Sequence, residues 1–560
     1  VVVEDRPVLM PLRRSALSRW LPERACPWAA LVLILAAAGL HLAYLACDCP
    51  LDLAQDEAHY WDWSRHLDWS YYSKGPLVAW LIRGSCELAG GWSERCTGNL
   101  ALAVRLPAVV CGSLLLASLY LLTVQVLGSR RLGLAVVAVA LTLPPIAAGS
   151  SLMTIDAPYT CCWGWALVLA HRAVFGKSAW AWEACGVVIG LGVLAKYTMA
   201  VFVPSLALFL LTTPAHRRQF FSAGFWSMVG VALLCSLPIL VWNAQHDWVT
   251  FRHVLRLAGL GPADAPGGGS AGLRWWGPLT YVGVQTAVLL GYWFFVWLAA
   301  MAAHNPLRDR SEGVRFLWWL SAPMFLLFLA FSLKTGGGEA NWPVTAYLSG
   351  SVLAAGWLVA QLQSRSRPYR RSVRAAVALS CLAGLLGTVV MHHSEWVHPL
   401  AAPWVGLPTS SNPFPLRRFD PTCRLRGWRT LAGKVDALRR TLAEQGQDPV
   451  LAAYNWSLPG ELGVYCAGHP QAYSIGLLQG DRHSQYDYWT NPIDDPGPFL
   501  GRSFLVVGGI RAPLAEAFET VEGPFLVTHR EGGRPLARWG VYVCHNFRGF
   551  RSVPTTPALH

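Results

Sequence analysis

Apolar runs long enough to cross a bilayer recur along this 560-residue chain, and that recurrence decides which solvent most of it can fold in. They lie near residues 28–46, 101–127, 131–149, 155–173, 222–243, 275–301, 314–333, 340–361 and 375–391. A further stretch, 179–213, is too long for one helix and is broken by Lys196, so it reads as two short ones. That makes about eleven crossings. The first run, Trp28 to Ala46, follows Arg13, Arg14, Arg19 and Arg24 without a small-x-small cleavage site, and at ~1.5 Å per residue it reaches ~28 Å. It therefore reads as a transmembrane helix.

Only 14% of residues are charged, and the net charge of +13 is not spread as a nucleic-acid-binding face. The cations stand in clusters between apolar runs: Arg130/Arg131, Arg172/Lys177, Arg217/Arg218, Arg308/Arg310/Arg315 and Arg365 to Arg374. With the N-terminus in the cytoplasm every cluster falls inside, as the positive-inside rule requires. The same count places residues 47–100, the connection 244–274 and everything after about 392 outside. The 28 Trp fit many membrane–water boundaries.

The expected organisation is a cytoplasmic segment 1–27, a transmembrane domain 28–391 with a first outer loop 47–100, and an external domain 392–560. In the last, VLAAY (450–454), QAYSIGL (471–477), RSFLVVGG (502–509) and WGVYVCH (539–545) read as strands, and 428–445 as an amphipathic helix. The fold class is thus mainly α, a polytopic membrane protein with a small C-terminal α/β domain. Cys86 and Cys96 flank a Gly-Gly pair read as a turn and are candidates for a disulfide, as are two of Cys423, Cys466 and Cys544.

Residues competent for chemistry collect on the outer side. The first outer loop carries Asp56 and Glu57, then His59, Tyr60 and Tyr72, then Lys74 before Gly75-Pro76. Asp156 stands at the outer mouth of the fourth run, Lys196 at the break, and Lys334 and Glu339 flank three glycines just before Asn341. Charge at membrane depth is costly and marks a functional candidate. Plain alternatives stand beside this: an interfacial amphipathic helix for the first loop, an N-cap for Asp156 ahead of Pro158, a simple ion pair for Lys334 and Glu339. His59, His66 and His246 lack metal-site spacing, and no metal or other cofactor is expected, with divalent-metal dependence left open. Carboxylates and lysines together suit an amphiphilic substrate with a phosphate at headgroup depth.

These segments resemble a known family. DEAHYW (56–61), KGPLVAW (74–80), TIDAP (154–158), LAKYT (194–198), WNAQHDWVTF (242–251) and EANWP (339–343), in that order, are similar to bacterial membrane glycosyltransferases related to protein O-mannosyltransferases and aminoarabinose transferases. GDRHSQYDYW (480–489) is similar to the family's external domain. The resemblance implies a C-type glycosyltransferase fold, a polyprenyl-phosphate sugar donor, an envelope acceptor, inversion at the anomeric carbon and a place in the inner membrane with the C-terminal domain outside. By motif position it implies Asp56, Glu57 and Asp156 as the acidic catalytic set and Lys74, with His59 and Lys196, as the phosphate side. Tyr60, Tyr72, Glu339 and Asn341 are further candidates for the substrate site. Asp52 and Asp68, in the same loop without a motif match, are expected to matter little. Two departures are visible: His59 replaces an arginine of the aminoarabinose branch, and Lys74 is followed by Gly-Pro. A transporter of lipid-linked sugars is the competing reading, but it calls for ionisable groups deep within broken helices.

Overall fold

The computed structural model describes residues 22–257 and 272–550. Residues 1–21 of the expected cytoplasmic segment, with Arg13, Arg14 and Arg19, lie outside the described residues, as do 258–271 of the expected outer connection. The chain divides into two compact units. One comprises the described chain up to Tyr44, Asp68–Val78 and Arg105–Thr388; the other comprises Leu45–Leu67, Ala79–Val104 and the chain from Val389 onward.

The first unit is helical. Among the described residues five helical segments are long and apolar enough to cross a membrane: Glu23–Asp48, Ala101–Leu127, Ala223–Gln245, Glu312–Thr335 and Arg367–His392. Shorter apolar helices, Trp180–Ala195, Tyr197–Thr212 and Ala346–Leu362, lie among them. This is a multi-pass membrane protein.

Two expected spans are not single helices. The run 275–301 forms Gly277–Val288 and Tyr292–Ala303, bent by 114°. Leu290 and Gly291 both take positive φ there (55° and 67°), and Gly291 N–H reaches back to Thr286 O instead of continuing the i→i−4 ladder. The run 131–149 forms Arg130–Ala140 and Pro144–Gly149, because Pro144 and Pro145 bring no amide hydrogens to carry the ladder on. The break in 179–213 occurs where the charge predicted it: Trp180–Ala195 ends at Lys196, whose backbone is extended, and Phe202–Thr212 follows a short 3-10 turn.

Small residues allow the closest packing. A Cβ at Gly186 would meet Met228 O at 2.5 Å, and one at Gly190 would meet Cys235 Cβ at 2.3 Å. These glycines, one turn apart, let Trp180–Ala195 lie directly against Ala223–Gln245, the small-xxx-small contact that substitutes in lipid for a hydrophobic driving force.

The bundle has a polar polarity as well. The helix Asp156–Phe175 is ~30 Å long, with Asp156 at one end and Arg172 at the other. At the Arg172 end, Gln219 Nε2 donates to Val174 O (3.1 Å), His216 meets Glu312 (3.0 Å), Gly313 abuts Val126, and Glu23 accepts from Arg130 N (3.1 Å) and pairs with Arg131. Four basic clusters therefore emerge at one end of the bundle. The Asp156 end carries Lys196 and Asn341.

In the second unit, β1 (Val450–Ala453), β2 (Ala472–Ser474), β3 (Phe504–Val507), β4 (Phe518–Glu531) and β5 (Arg534–Phe547) form one sheet in the order β2-β1-β3-β5-β4. β1 is parallel to β2 and β3, while β5 is antiparallel to β3 and β4. The helix Trp428–Glu444 covers one face through Trp428, Leu431 and Val435, packed with Leu451, Leu505 and Trp539. Four strands and this helix were legible; β4 was not. Its polar sequence and Gly523-Pro524 give no strand signal, yet it is an edge strand with a register shift beside the proline, the place where a missing amide hydrogen is tolerated.

The expected cysteine pairings do not form. Gly90 and Gly91 lie inside the continuous helix Leu77–Thr97, so Cys86 and Cys96 stand ~15 Å apart along its axis, beyond disulfide reach. Cys423, Cys466 and Cys544 are buried thiols.

The shared end of the basic clusters makes a direct test. In a cysteine-depleted background, Lys177→Cys and Arg310→Cys are expected to react with an impermeant maleimide from one side of sealed vesicles, and Glu339→Cys from the other. Labelling of all three from one side would contradict the arrangement.

Candidate active site

In the helical unit the expected residues converge. Lys196 Nζ lies 2.7 Å from Asp156 Oδ1, and Asn341 Nδ2 donates to Asp156 Oδ2, so both carboxylate oxygens are engaged. The lysine also rides 5.2 Å from the Tyr159 ring centroid. Tyr159 Oη in turn lies 3.1 Å from Thr345 Oγ1.

Each position has a local cause. Asp156 is the first residue of its helix, where unpaired amides and the helix dipole favour a negative charge. Its side chain caps no amide; it faces Lys196 instead, which sets aside the N-cap reading. Lys196 points at this carboxylate because the helix before it ends one residue earlier. Lys334 and Glu339 form no ion pair with each other among the described residues. Gly336, Gly337 and Gly338, at φ of 79°, 135° and 72°, turn the chain between them and leave Glu339 exposed.

Lys74 belongs to the same unit. Tyr71 N–H donates to Lys74 O (3.1 Å), closing a tight turn, and Thr250 Oγ1 donates to Tyr71 O (3.1 Å). Gly75 explains the departure from the family pattern, since a Cβ there would sit 2.1 Å from Leu194 O. Only glycine lets the Lys74 turn lie backbone to backbone against the end of the helix that presents Lys196. Tyr72 is buried, its ring 4.8 Å from His253. Asp68 accepts from Trp242 Nε1 (2.7 Å), so it holds the loop to the Ala223–Gln245 helix.

The first-loop acids lie in the other unit, on the helix Gln55–Arg65, and their neighbours separate their roles. Glu57 is fully buried and its Oε2 accepts Ala54 N–H at 2.9 Å, capping the helix start. Asp56, beside it in sequence, is exposed. Asp52 is buried, accepting Trp428 N–H (2.9 Å) and Arg429 Nε–H (2.6 Å), and so ties this loop to the first turn of the Trp428–Glu444 helix. Asp52 and Asp68, expected to matter little to turnover, are therefore both anchors of the fold. Both carry hydrogen bonds between segments distant in sequence, a signal that only the fold supplies.

His59 and Tyr60 are buried on the same helix. Burial, aided by the charge of Arg482, pushes the His59 imidazole down from its ordinary 6.5 to about 3. Such a ring is neutral at pH 7. Trp63, Trp456 and Tyr486 surround it at centroid distances of 4.9, 5.4 and 5.0 Å. Asp62 is also buried, which raises its carboxyl against the opposing influence of Arg65 and a hydrogen bond from Tyr486. No group of three or more His, Cys, Asp and Glu fit to hold a metal occurs among the described residues.

Known proteins match this chain in sequence and in fold. Residues 73–242 match the family described as dolichyl-phosphate-mannose-protein mannosyltransferase. ArnT from Cupriavidus metallidurans superposes with a TM-score of 0.54 in its apo state, at 15% identity over 93% of this chain and 98% of that one. Its undecaprenyl phosphate-bound form gives 0.55, at 16% identity over 92% and 98%. The chain has the fold of the C-type membrane glycosyltransferases. The resemblance carried by the six motifs is thereby borne out. In sequence the chain is 32% identical over 320 residues to lipid A galacturonosyltransferase RgtD of Rhizobium johnstonii (strain DSM 114642 / LMG 32736 / 3841), a match covering 55% of this chain and 61% of that protein. Three of the six motifs lie wholly within residues 73–242, and a fourth, WNAQHDWVTF, begins at its last residue.

Two variants test the first-loop roles. Asp52→Ala is expected to destabilise the protein by ~1–3 kcal/mol through the orphaned Trp428 amide and Arg429, read as a lower melting temperature in lipid nanodiscs. An unchanged melt would remove the anchoring role. The His59 shift has a definite sign: below pH 6.5 the unfolded chain takes up a proton that the native ring refuses until about pH 3. Stability present above pH 6.5 is therefore lost as pH falls towards 3. His59→Phe is expected to flatten this part of the melting profile between pH 6.5 and 4, and an unaltered slope would contradict a buried neutral ring.

Proposed function

We propose that this protein transfers a sugar from a polyprenyl-phosphate donor to a lipid acceptor of the cell envelope, at the outer face of the inner membrane and with inversion. The observation that carries this reading is the split between adjacent acids: Glu57 is spent on capping its helix, while Asp56 is presented at the surface at the helix start. The named relatives support the substrate class, one acting on lipid A and the other crystallised with undecaprenyl phosphate.

In the reaction an acceptor oxygen bonds to the anomeric carbon as the bond from that carbon to the phosphate oxygen breaks, and polyprenyl phosphate leaves. Asp56 takes the acceptor proton if the nucleophile is a hydroxyl and orients the nucleophile if it is a phosphate. Lys74 holds the donor phosphate as a compact charge. Asp156, held by Lys196 and Asn341, keeps the ends of three helical segments in register and supplies fixed charge to the substrate region. Glu57 positions Asp56 through the cap. A translocation path is less well supported, because Asp156 and Lys196 stand at helix ends and neutralise each other.

Asp56→Asn keeps size and most hydrogen bonding but removes the charge, so turnover is expected to fall by ~10² or more with donor binding retained. Mass spectrometry of envelope lipids from cells with and without the protein, and with the variant, reads both function and mechanism. Loss of one sugar with accumulation of its polyprenyl-phosphate form is the expected outcome. Unchanged lipids would reject the function, and a fully active Asp56→Asn protein would reject the base.

A further inference from the structure

The chain that leaves the last apolar helix is built inside out. At ~1.5 Å per residue the apolar run 375–391 reaches ~26 Å, which brings His392 to the edge of the hydrocarbon. The short turns that follow, Ser394–Trp396, His398–Ala401 and Ala402–Trp404, belong to the sheet-bearing unit, and their polar groups are turned into it. Ser394 and His398 are buried, with Ser394 Oγ 2.5 Å from Thr422 Oγ1 and His398 Nε2 2.7 Å from Asp420 Oδ2. Glu395 pairs with the buried Arg426 (2.5 Å). The large apolar side chains do the opposite: Trp396, Leu400, Trp404 and Leu407 are 62%, 74%, 81% and 71% exposed.

Facing water, this segment would desolvate its polar groups and forfeit the burial of its apolar ones. Two features say what covers the apolar side. The first is continuity. Trp396 follows His392 by four residues and so stands where aromatic side chains collect, at the boundary between hydrocarbon and water. The second is charge. The turn Pro415–Arg418 packs on the segment through Leu416 with Ala401 and Val405, and its Arg417 and Arg418 are exposed and in no ion pair among the described residues. Arg534, also exposed, donates from Nη1 to Pro399 O (3.2 Å). Apolar side chains rimmed by cations match acyl chains lying under anionic headgroups.

We propose that residues 394–407, with Arg417 and Arg418, are a docking surface for the interface of an anionic phospholipid bilayer. Trp396, Leu400, Trp404 and Leu407 enter the boundary between headgroups and acyl chains, and the two arginines reach the lipid phosphates. The apolar strip supplies affinity through its area, and the arginines supply the preference for anionic lipid, each contributing a factor of about 5 at such a surface. None of these residues takes part in the transfer proposed above, so the surface stands or falls independently of it. Its consequence is mechanical. Ser394, Glu395 and His398 are tied to Thr422, Arg426 and Asp420, so the depth at which the strip sits is passed to the sheet-bearing unit and is not lost in a loose linker.

The test uses the full chain in nanodiscs of phosphatidylglycerol. In a cysteine-depleted background, spin labels at Leu400→Cys and Trp404→Cys are expected to be relaxed more by oxygen, which concentrates in lipid, than by a water-soluble nickel chelate. Glu444→Cys, at the far end of the helix that begins at Trp428, is expected to show the reverse. Nickel accessibility at the first two positions equal to that at the third would overturn the proposal. Shielding from both reagents would place a second copy of the chain on this face and overturn it equally. Wild-type protein gives a second reading that needs no cysteine depletion. A phosphatidylglycerol with a photoactivatable headgroup is expected to leave adducts within residues 394–419, mapped by mass spectrometry of the digest, and adducts only elsewhere would reject the docking surface. The double variant Arg417→Gln/Arg418→Gln is expected to lower the adduct yield there, relative to a phosphatidylcholine probe, by ~5-fold or more. An unchanged ratio would overturn the assignment to anionic lipid.

Discussion

A carboxylate and an ammonium at the rim of an apolar helix bundle are stable there only if each is given an opposite charge or hydrogen bonds, and the Asp156–Lys196 contact meets that condition. Much of the helical unit follows from it. The helix Trp180–Ala195 stops one residue before Lys196, Asp156–Phe175 starts on its carboxylate, and the turn after the Gly336–Gly338 run delivers Asn341 to the remaining oxygen. Three segments separated by 40 and 185 residues are thus tied by one carboxylate. Gly75 adds a fourth, since its missing side chain allows the Lys74 turn to rest against Leu194.

The sheet-bearing unit sorts a crowded set of acids by burial. Asp52, Glu57 and Asp62 are all buried, and the partners shown for them are an amide and a guanidinium, a helix-start amide, and a tyrosine with an arginine. A buried carboxylate engaged in this way serves architecture, because moving its partners would leave a charge desolvated. Asp56 differs from its neighbour by one position on a helix, which is 100° of rotation and enough to turn it from interior to surface. His59, another turn along, is forced into an aromatic pocket and loses its charge.

Apolar run length and the placement of Arg clusters determined, without any coordinates, that this chain is a multi-pass membrane protein, because the hydrocarbon core permits few alternatives to the helix. The break at Lys196, the amphipathic helix after Gly427 and four of the five strands were legible for similar reasons: a charge, a 3.6-residue period and short β-branched runs are local signals. The bend at Leu290–Gly291 and the edge strand β4 were not, since a left-handed residue inside an apolar run and a strand interrupted by Gly-Pro look locally like a helix and a loop. Tertiary structure alone decided which acid is exposed, that Asp52 is an anchor, and that Lys196 and Asn341 meet on Asp156. Sequence records which groups a chain carries; whether a group is charged, buried or presented depends on the partners that folding brings to it from far along the chain.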